Sequence, residues 1–153
     1  MSAGLLNPLA PLLLVEDNED DVFFMQRALR LAGNTRPVRI AGDGQAALDY
    51  LAGCAAQAKE HVAPAAVFLD LKLPYIYGLD VLAAIRAHPA WHDLAVFILT
   101  SSAENSDRAR AETLGIRRYL VKPPTPETLR PVLAELTPTA LAANAPQPAS
   151  SER

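Results

Sequence analysis

The sequence predicts an α/β fold, a doubly wound parallel sheet of five strands in the order 2-1-3-4-5 with five helices on its two faces. Short apolar runs without alternation occur at residues 12–15, 66–69 and 95–99. Such runs are typical of strands buried on both faces of a parallel sheet. Longer stretches with helical spacing lie between them, and this alternation favours parallel pairing. The 153 residues suit one domain with a sizeable core.

The first half of the chain predicts two strands and two helices. After the strand at 12–15, residues 19–31 form a helix, because three acids in its first turn complement the helix macrodipole. A second strand covers residues 38–41, and a second helix covers residues 44–51. Residues 53–64 are polar and mixed, which indicates a loop or a frayed helix end.

The third and fourth strands follow. The third covers residues 66–70 and ends at Asp70. A helix at 79–86 stops before Pro89, because the residue preceding a proline avoids helical geometry. The fourth strand covers residues 95–99 and leads into a run of hydroxyl side chains.

The last elements are a helix at 104–114, a strand at 118–121 and a helix at 126–136. Thr125 is a suitable N-cap for this final helix, and a proline stands at its first position. Pro131 lies inside the helix, so either a kink or a later helix start is compatible with the sequence.

Composition excludes several classes of protein. The net charge of −3 and the lack of basic residues interleaved with aromatics argue against nucleic-acid binding. Cys54 is the single cysteine, which excludes a disulfide framework or a thiolate metal site within one chain. No signal peptide or membrane span is recognisable. We expect a cytoplasmic protein with an N-terminal arm at 1–10, a folded domain at 11–137 and a disordered Ala/Pro-rich tail at 138–153.

Polar side chains stand at the carboxyl ends of four strands. Glu16 and Asp17 follow the first strand, Asp70 ends the third, Thr100 follows the fourth and Lys122 follows the fifth. In the order 2-1-3-4-5, the first and third strands are neighbours at the topological switch point, where such sheets bind ligands. Three carboxylates, a hydroxyl and an ammonium group should therefore converge in one crevice.

Converging carboxylates need a counter-charge, since two unit charges about 4 Å apart repel by roughly 4 kcal/mol at an effective dielectric near 20. Mg²⁺ suits the crevice because it binds one or two carboxylates and keeps waters that a phosphate can displace. A carboxylate beside Mg²⁺ can attack phosphorus and form an acyl phosphate. Lys122 and Thr100 would then bind the phosphoryl oxygens.

Four motifs at these strand ends together resemble the response regulator receiver family over residues 11–137. The motifs are Val15-Glu16-Asp17-Asn18, Leu69-Asp70-Leu71-Lys72-Leu73-Pro74, Leu99-Thr100-Ser101-Ser102 and Tyr119-Leu120-Val121-Lys122-Pro123. The resemblance implies a single-domain response regulator of a two-component phosphorelay, without an output domain. It implies no enzyme activity beyond Mg²⁺-dependent self-phosphorylation from phosphohistidine and slow autodephosphorylation.

The resemblance also implies roles for individual residues. Asp70 would accept the phosphoryl group from a histidine kinase. Mg²⁺ (or Mn²⁺) would be bound by Asp17 directly, by Glu16 through water, by Asp70 and by the backbone carbonyl of Lys72.

Three more roles follow from the same resemblance. Thr100 and Lys122 would bind the phosphoryl oxygens. Tyr119 would be the aromatic residue that turns inward when Thr100 moves. The peptide bond between Lys122 and Pro123 would be cis.

A finer resemblance concerns the partner. Residues 20–22, 43–51 and 99–102 are similar to those of single-domain regulators that partner phytochrome-type histidine kinases. This similarity implies a homodimer through the face of the fourth helix, the fifth strand and the fifth helix. Neither a nucleic acid nor a membrane is an expected partner.

The chain departs from the family after Pro74, where residues 76–78 are Ile-Tyr-Gly in place of Met-Asp-Gly. Ile76 can replace a buried methionine by volume. Tyr75 and Tyr77 either pack within the loop, or have a role in docking a partner or in shielding the site from water. The Lys72 side chain is either solvated or tunes dephosphorylation. No metal role is expected for three scattered histidines, which are His61, His88 and His92.

Three alternative functions are less compatible with the sequence. A phosphatase of the haloacid-dehalogenase type needs an aspartate two residues after its nucleophile, where this chain has Lys72. A flavodoxin-like electron carrier needs a hydroxyl- and glycine-rich phosphate loop after the first strand, where this chain has acids at 16–21. A non-phosphorylated, receiver-like docking module would not need the complete set of site residues.

Overall fold

The computed structural model describes residues 9–56, 62–101 and 107–136. Within these ranges, five strands alternate with five helices. They are β1 (Leu12–Val15), α1 (Glu19–Leu31), β2 (Val38–Ala41), α2 (Gly44–Ala55), β3 (Ala66–Asp70), α3 (Gly78–Ala87), β4 (Ala95–Thr100), α4 (Arg108–Leu114), β5 (Arg118–Val121) and α5 (Pro126–Glu135). None of these described helices combines the length and the apolar character that crossing a bilayer requires.

The five strands form one parallel sheet in the order β2-β1-β3-β4-β5, which confirms the predicted fold class. β1 and β3 are neighbours, with Val15 opposite Leu69. The two strands of a parallel pair run in the same direction, so Glu16 and Asp70 lie at the same end of the sheet. β2 and β5 are the two outer strands.

Alternate residues of the buried strands face two apolar layers. Leu13 and Val67 pack with side chains of α2, α3 and α4 on one face of the sheet. Phe68 and Phe97 lie opposite each other on the other face, stacked with ring centroids 5.2 Å apart, and α1 and α5 cover them. Since each fully buried large apolar side chain contributes about 1.5–3 kcal/mol, these two layers hold the strand ends in register.

Three helices begin with a side-chain cap. The side-chain oxygens of Asn18, Asp43 and Thr125 accept backbone N–H groups of α1, α2 and α5 at 2.9, 2.8 and 3.1 Å. Each cap satisfies one N–H group that the helix itself leaves unpaired. α5 begins at Pro126, as predicted, and continues through the exposed Pro131 without a later start.

Several element boundaries differ from the predicted ones. α2 continues to Ala55, beyond the predicted end at residue 51. α4 begins at Arg108 with Asp107 as its N-cap residue, whereas the predicted start at residue 104 lies outside the described residues. Most of the predicted arm and the whole predicted tail also lie outside the described residues.

Gly78 brings the start of α3 against the backbone of the strand that carries Asp70. A Cβ atom at residue 78 would lie 2.4 Å from the carbonyl oxygen of Asp70 and 2.6 Å from the Cα of Leu71. The Gly78 N–H group donates a hydrogen bond to the Leu71 carbonyl at 3.1 Å. Only glycine permits this approach, so the residue is part of what positions Asp70.

Replacement of Gly78 by alanine should therefore destabilise the protein by about 2 kcal/mol, because the rigid backbone of β3 cannot yield to the added methyl group. Urea denaturation of Gly78→Ala measures the loss. Gly42→Ala is the matched control, since a Cβ there meets nothing within 4 Å. Equal stability of the two variants would contradict the close-approach argument.

Candidate functional site

Three carboxylates meet at the carboxyl end of the sheet. Glu16 follows β1 and Asp70 ends β3. The two residues are only 2% and 4% exposed, respectively. Asp17 is exposed at the rim. One oxygen from each of the three side chains lies within 4.8 Å of the other two, and this is the group of potential metal ligands found among the described residues. The convergence of Glu16, Asp17 and Asp70 that the sequence predicted is present.

The Lys122 ammonium group is the cation of this cluster. Its Nζ lies 2.7 Å from Glu16 Oε1 and 2.9 Å from Asp70 Oδ2. The Lys122 backbone N–H donates to the carbonyl of Thr100 at 2.7 Å, which ties the end of β5 to the end of β4. The Lys122–Pro123 peptide bond is cis.

Asp21 is a further contact of Lys122 that the sequence reasoning did not assign to the site. Its Oδ2 lies 3.0 Å from Lys122 Nζ. In the sequence, Asp21 is one of the acids in the first turn of a predicted helix and part of the similarity at residues 20–22. The sequence carries no signal for this contact, because an acid in the first turn of a helix already has a local explanation.

Both oxygens of Asp70 have a hydrogen-bond donor. Oδ1 accepts the backbone N–H of Lys72 at 2.9 Å, and Oδ2 accepts Lys122 Nζ at 2.9 Å. The backbone bond fixes the carboxylate orientation without using the exposed Lys72 side chain. The part expected for the Lys72 carbonyl in metal coordination stays a prediction.

Burial and neighbouring charges shift the ionisation of this cluster. Burial, with the nearby negative charge of Asp70, raises the pKa of Glu16 to about 7 despite its contact with Lys122. Burial also opposes the charged form of Lys122, but hydrogen bonds from its ammonium group to Glu16, Asp70 and Asp21 outweigh burial and raise the pKa of Lys122 above its usual value. One ammonium group is thus insufficient to compensate the carboxylates around it.

The residues fit a hard divalent cation. The cluster provides three carboxylates, all with oxygen ligands, and its most buried member is difficult to ionise without a further positive charge. Oxygen ligands of this kind suit Mg²⁺ and Mn²⁺, whereas the cluster contains no histidine or cysteine.

The two residues predicted to form the switch, Thr100 and Tyr119, lie on β4 and β5. Thr100 is buried at the last position of β4. The Tyr119 ring packs against the apolar layer under α4, and its hydroxyl oxygen is buried without a hydrogen-bond partner among the described residues. The guanidinium of Arg108 lies 4.8 Å from the ring centroid. Burial raises the pKa of the Tyr119 hydroxyl.

The loop between β3 and α3 carries two exposed aromatic rings. Tyr75 and Tyr77 are 93% and 71% exposed, so they do not pack within the loop. Tyr75 has a φ of +67°, and the Ile76 N–H donates to the Pro74 carbonyl at 2.7 Å across it, as in a γ-turn. Ile76 is partly buried against the core. His88 and His92 are exposed, and His61 lies outside the described residues.

The raised pKa of Glu16 makes stability depend on pH when no metal is bound. Between pH 4.5 and about 7, the folded state binds more protons at this carboxyl than the unfolded state does. The free energy of unfolding should therefore fall as pH rises through this window. Glu16→Gln should remove this part of the slope and be more stable than wild type at pH 8 by on the order of 2 kcal/mol.

Urea denaturation in EDTA at pH 5 and pH 8 measures this difference. Glu19→Gln, which changes an exposed acid at the start of α1, is the control and should retain the fall in the free energy of unfolding between pH 5 and pH 8. A Glu16→Gln variant that is less stable than wild type at pH 8 would contradict the assigned direction.

Comparisons with known proteins show which family the chain belongs to. A model of the response regulator receiver domain matches residues 12–134. The probable methanogenesis regulatory protein FilR2 of Methanothrix harundinacea is 34% identical over 125 residues, which are 82% of this chain and 79% of the relative. Response regulator Rcp1 of Synechocystis is 32% identical over 116 residues, or 76% of this chain and 78% of the relative.

Solved structures agree with the sequence matches. The bacteriophytochrome response regulator AtBRR aligns with a TM-score of 0.72 and 35% identity, over 84% of this chain and 92% of that one. The Mn²⁺-bound form of Rcp1 aligns with a TM-score of 0.65 and 29% identity, over 83% of this chain and 91% of that one. The predicted family is confirmed, and the chain belongs to the response regulator receiver domain family of two-component signalling.

Proposed function

We propose that the chain accepts a phosphoryl group from a histidine kinase on Asp70 and thereby changes conformation. The observation that carries this proposal is the placement of Asp70. Its buried carboxylate lies between two other carboxylates and an ammonium group, with one oxygen held by a backbone N–H group. This arrangement orients a nucleophile and provides groups that stabilise phosphoryl charge, which are the main requirements of phosphoryl transfer.

In the transfer, a carboxylate oxygen of Asp70 attacks the phosphorus of phosphohistidine. The new P–O bond forms as the P–N bond breaks, and the imidazole nitrogen keeps the electron pair of the broken bond. Lys122 donates to the phosphoryl oxygens, since its Nζ already lies 2.9 Å from Asp70. The buried Thr100 hydroxyl, at the adjacent strand end, is the second donor.

We infer that Mg²⁺ (or Mn²⁺) occupies the carboxylate cluster. Asp17 and Asp70 would bind it directly, Glu16 through water, and the Lys72 carbonyl would complete the protein ligands. A bound cation would neutralise the carboxylates and the incoming phosphoryl oxygens. The three clustered carboxylates and the Mn²⁺ in the related Rcp1 structure support this assignment.

An open cleft of about 640 Å³ lies beside the site, between the loop after β3 and helices α3 and α4, and we infer that the phosphoryl donor approaches through it. Asp17, Lys72 and Tyr77 are among the residues that line it. A cleft of this size admits a donor group. Water would enter by the same route and return the acyl phosphate slowly to the free carboxylate, which is the only hydrolysis we propose.

Intact mass spectrometry tests the phosphoacceptor assignment. Incubation with Mg²⁺ and acetyl phosphate should add one labile phosphoryl group to wild type, and EDTA should prevent the addition. Asp70→Asn should remain unmodified, because an amide is a poor nucleophile. Asp49→Asn, an exposed acid on α2, is the control and should be modified like wild type.

The same experiment separates the main alternative. If no donor modifies wild type under any metal condition, Asp70 is not a phosphoacceptor. The chain would then be a receiver-shaped docking module.

The switch that we propose involves Thr100 and Tyr119. Thr100 would move toward a phosphoryl group on Asp70, and Tyr119 would adjust its position against the core. Tyr119 is already partly inserted, with its hydroxyl buried and unpaired among the described residues. An unmade hydrogen bond costs about 1–3 kcal/mol, so a ring position in which the hydroxyl gains a partner would compete with the present one.

Receiver domains work with histidine kinases, and we infer that the kinase of this chain is of the phytochrome type. The likeness to the bacteriophytochrome response regulator AtBRR supports this. We also infer that the folded domain comprises residues 11–137, flanked by an arm at 1–10 and a disordered tail at 138–153. The domain would meet the kinase in the cytoplasm. The family match over residues 12–134 supports the domain bounds.

We further propose a homodimer through the face formed by α4, β5 and α5. β5 is an outer strand, and its Val121 side chain is 44% exposed. Arg118 and Glu135 pair beside it on β5 and α5. A two-fold axis could pair such opposite charges with those of a second copy and cover the valine.

Val121→Glu should weaken this dimer at least about tenfold, because a charge would be buried in the interface. Sedimentation equilibrium measures the dissociation constant. Ile40→Glu is the control, since Ile40 is also 44% exposed but lies on the opposite outer strand. A monomeric wild type, or a dimer broken by Ile40→Glu and not by Val121→Glu, would exclude the face.

A further inference from the structure

Lys122 contacts one carboxylate in addition to the two from the metal-binding cluster. Its ammonium group carries three N–H donors, and three carboxylates lie within 3.0 Å of Nζ: those of Glu16, Asp70 and Asp21. Glu16 and Asp70 belong to the carboxylate cluster that fits a metal, and Asp21 does not. Asp21 is thus the carboxylate partner of Lys122 that lies outside the metal-binding cluster.

Asp21 is held in place by its own helix. It lies in the first turn of α1, and its backbone N–H donates to the Asn18 side chain at 2.9 Å. Its carboxylate is 37% exposed, whereas the Lys122 side chain is 15% exposed. Among the described residues, Lys122 is the ionic partner of Asp21. The contact therefore joins α1 to the end of β5.

We propose that Asp21 is a positioning residue, which holds the Lys122 ammonium group over Asp70 when a phosphoryl group is bound there. The inference rests on the proposed phosphoacceptor function. It concerns a residue outside the metal-binding cluster, which would act through its contact with Lys122.

The reason lies in what happens to the other two partners. The charges of Glu16 and Asp70 would be engaged by the cation and by the new acyl phosphate, so both would hold the lysine less strongly. Lys122 has a long flexible stem, and an ammonium group that loses its partners turns toward water. Asp21 lies outside the carboxylate cluster that would bind the cation, so its contact with Lys122 would remain and keep the ammonium group near the phosphoryl oxygens.

Loss of the Asp21 charge and loss of its contact with Lys122 should change the affinity for a bound anion in opposite directions. Removing a negative charge near the site should strengthen the binding of an anion. Removing a positioning partner of Lys122 should weaken it. The neighbouring Asp20 separates the two effects, because it is also a first-turn acid of α1 but is exposed and makes no described contact with Lys122.

The test uses beryllofluoride, which mimics a phosphoryl group on a carboxylate, with the full chain at saturating Mg²⁺. Isothermal titration calorimetry should give a dissociation constant for Asp21→Asn about tenfold above that of wild type, because a charge-assisted hydrogen bond to Lys122 is lost. Asp20→Asn should match wild type or bind slightly more tightly. The Mg²⁺ affinity, measured separately without beryllofluoride, should change equally in both variants.

A second comparison shows whether Asp21 acts through Lys122. In a Lys122→Gln background, Asp21→Asn should change the beryllofluoride affinity by less than about twofold, because the partner is already absent. An undiminished effect in that background, or an Asp21→Asn variant that binds as Asp20→Asn does, would overturn the positioning role. If wild type itself neither binds beryllofluoride nor accepts a phosphoryl group, the proposed function fails instead.

Discussion

The excess of negative charge around one lysine is the constraint on which the site depends. Carboxylates from β1, β3 and α1 converge on Lys122 at the end of β5. Like charges at this distance separate unless something holds them together. The two apolar layers on either side of the sheet supply that restraint, since they fix the strand ends before any ligand arrives.

Close packing restricts the position of Asp70. The strand before it is fully buried, and Gly78 lets the next helix press on its backbone. Asp70 therefore has little freedom to move away from its neighbours. A carboxylate fixed in this way would be preorganised for the proposed transfer, and a bound cation would balance the negative charge around it. The same burial that orders Glu16 is what makes it reluctant to ionise.

The sequence predicted the sheet order and the convergence of Glu16, Asp17, Asp70 and Lys122, because buried strands carry continuous apolar runs and polar residues stand out at their ends. It did not predict the partnership of Asp21 with Lys122, since an acid in the first turn of a helix already has a local explanation. The left-handed conformation of Tyr75 also has no sequence signal, because the residue is not a glycine. The roles assigned to Thr100, Tyr119 and the Lys72 carbonyl stay predictions.

The outer strands have a consequence for how copies of the chain can meet. β2 and β5 are each four residues long, and each carries an exposed arginine, Arg39 or Arg118. Short, charged sheet margins discourage the addition of further strands from other molecules. Association on the β5 side would therefore rely on side chains rather than on an extended sheet. A two-fold contact of this kind would close on itself, so it would not propagate from copy to copy into a filament.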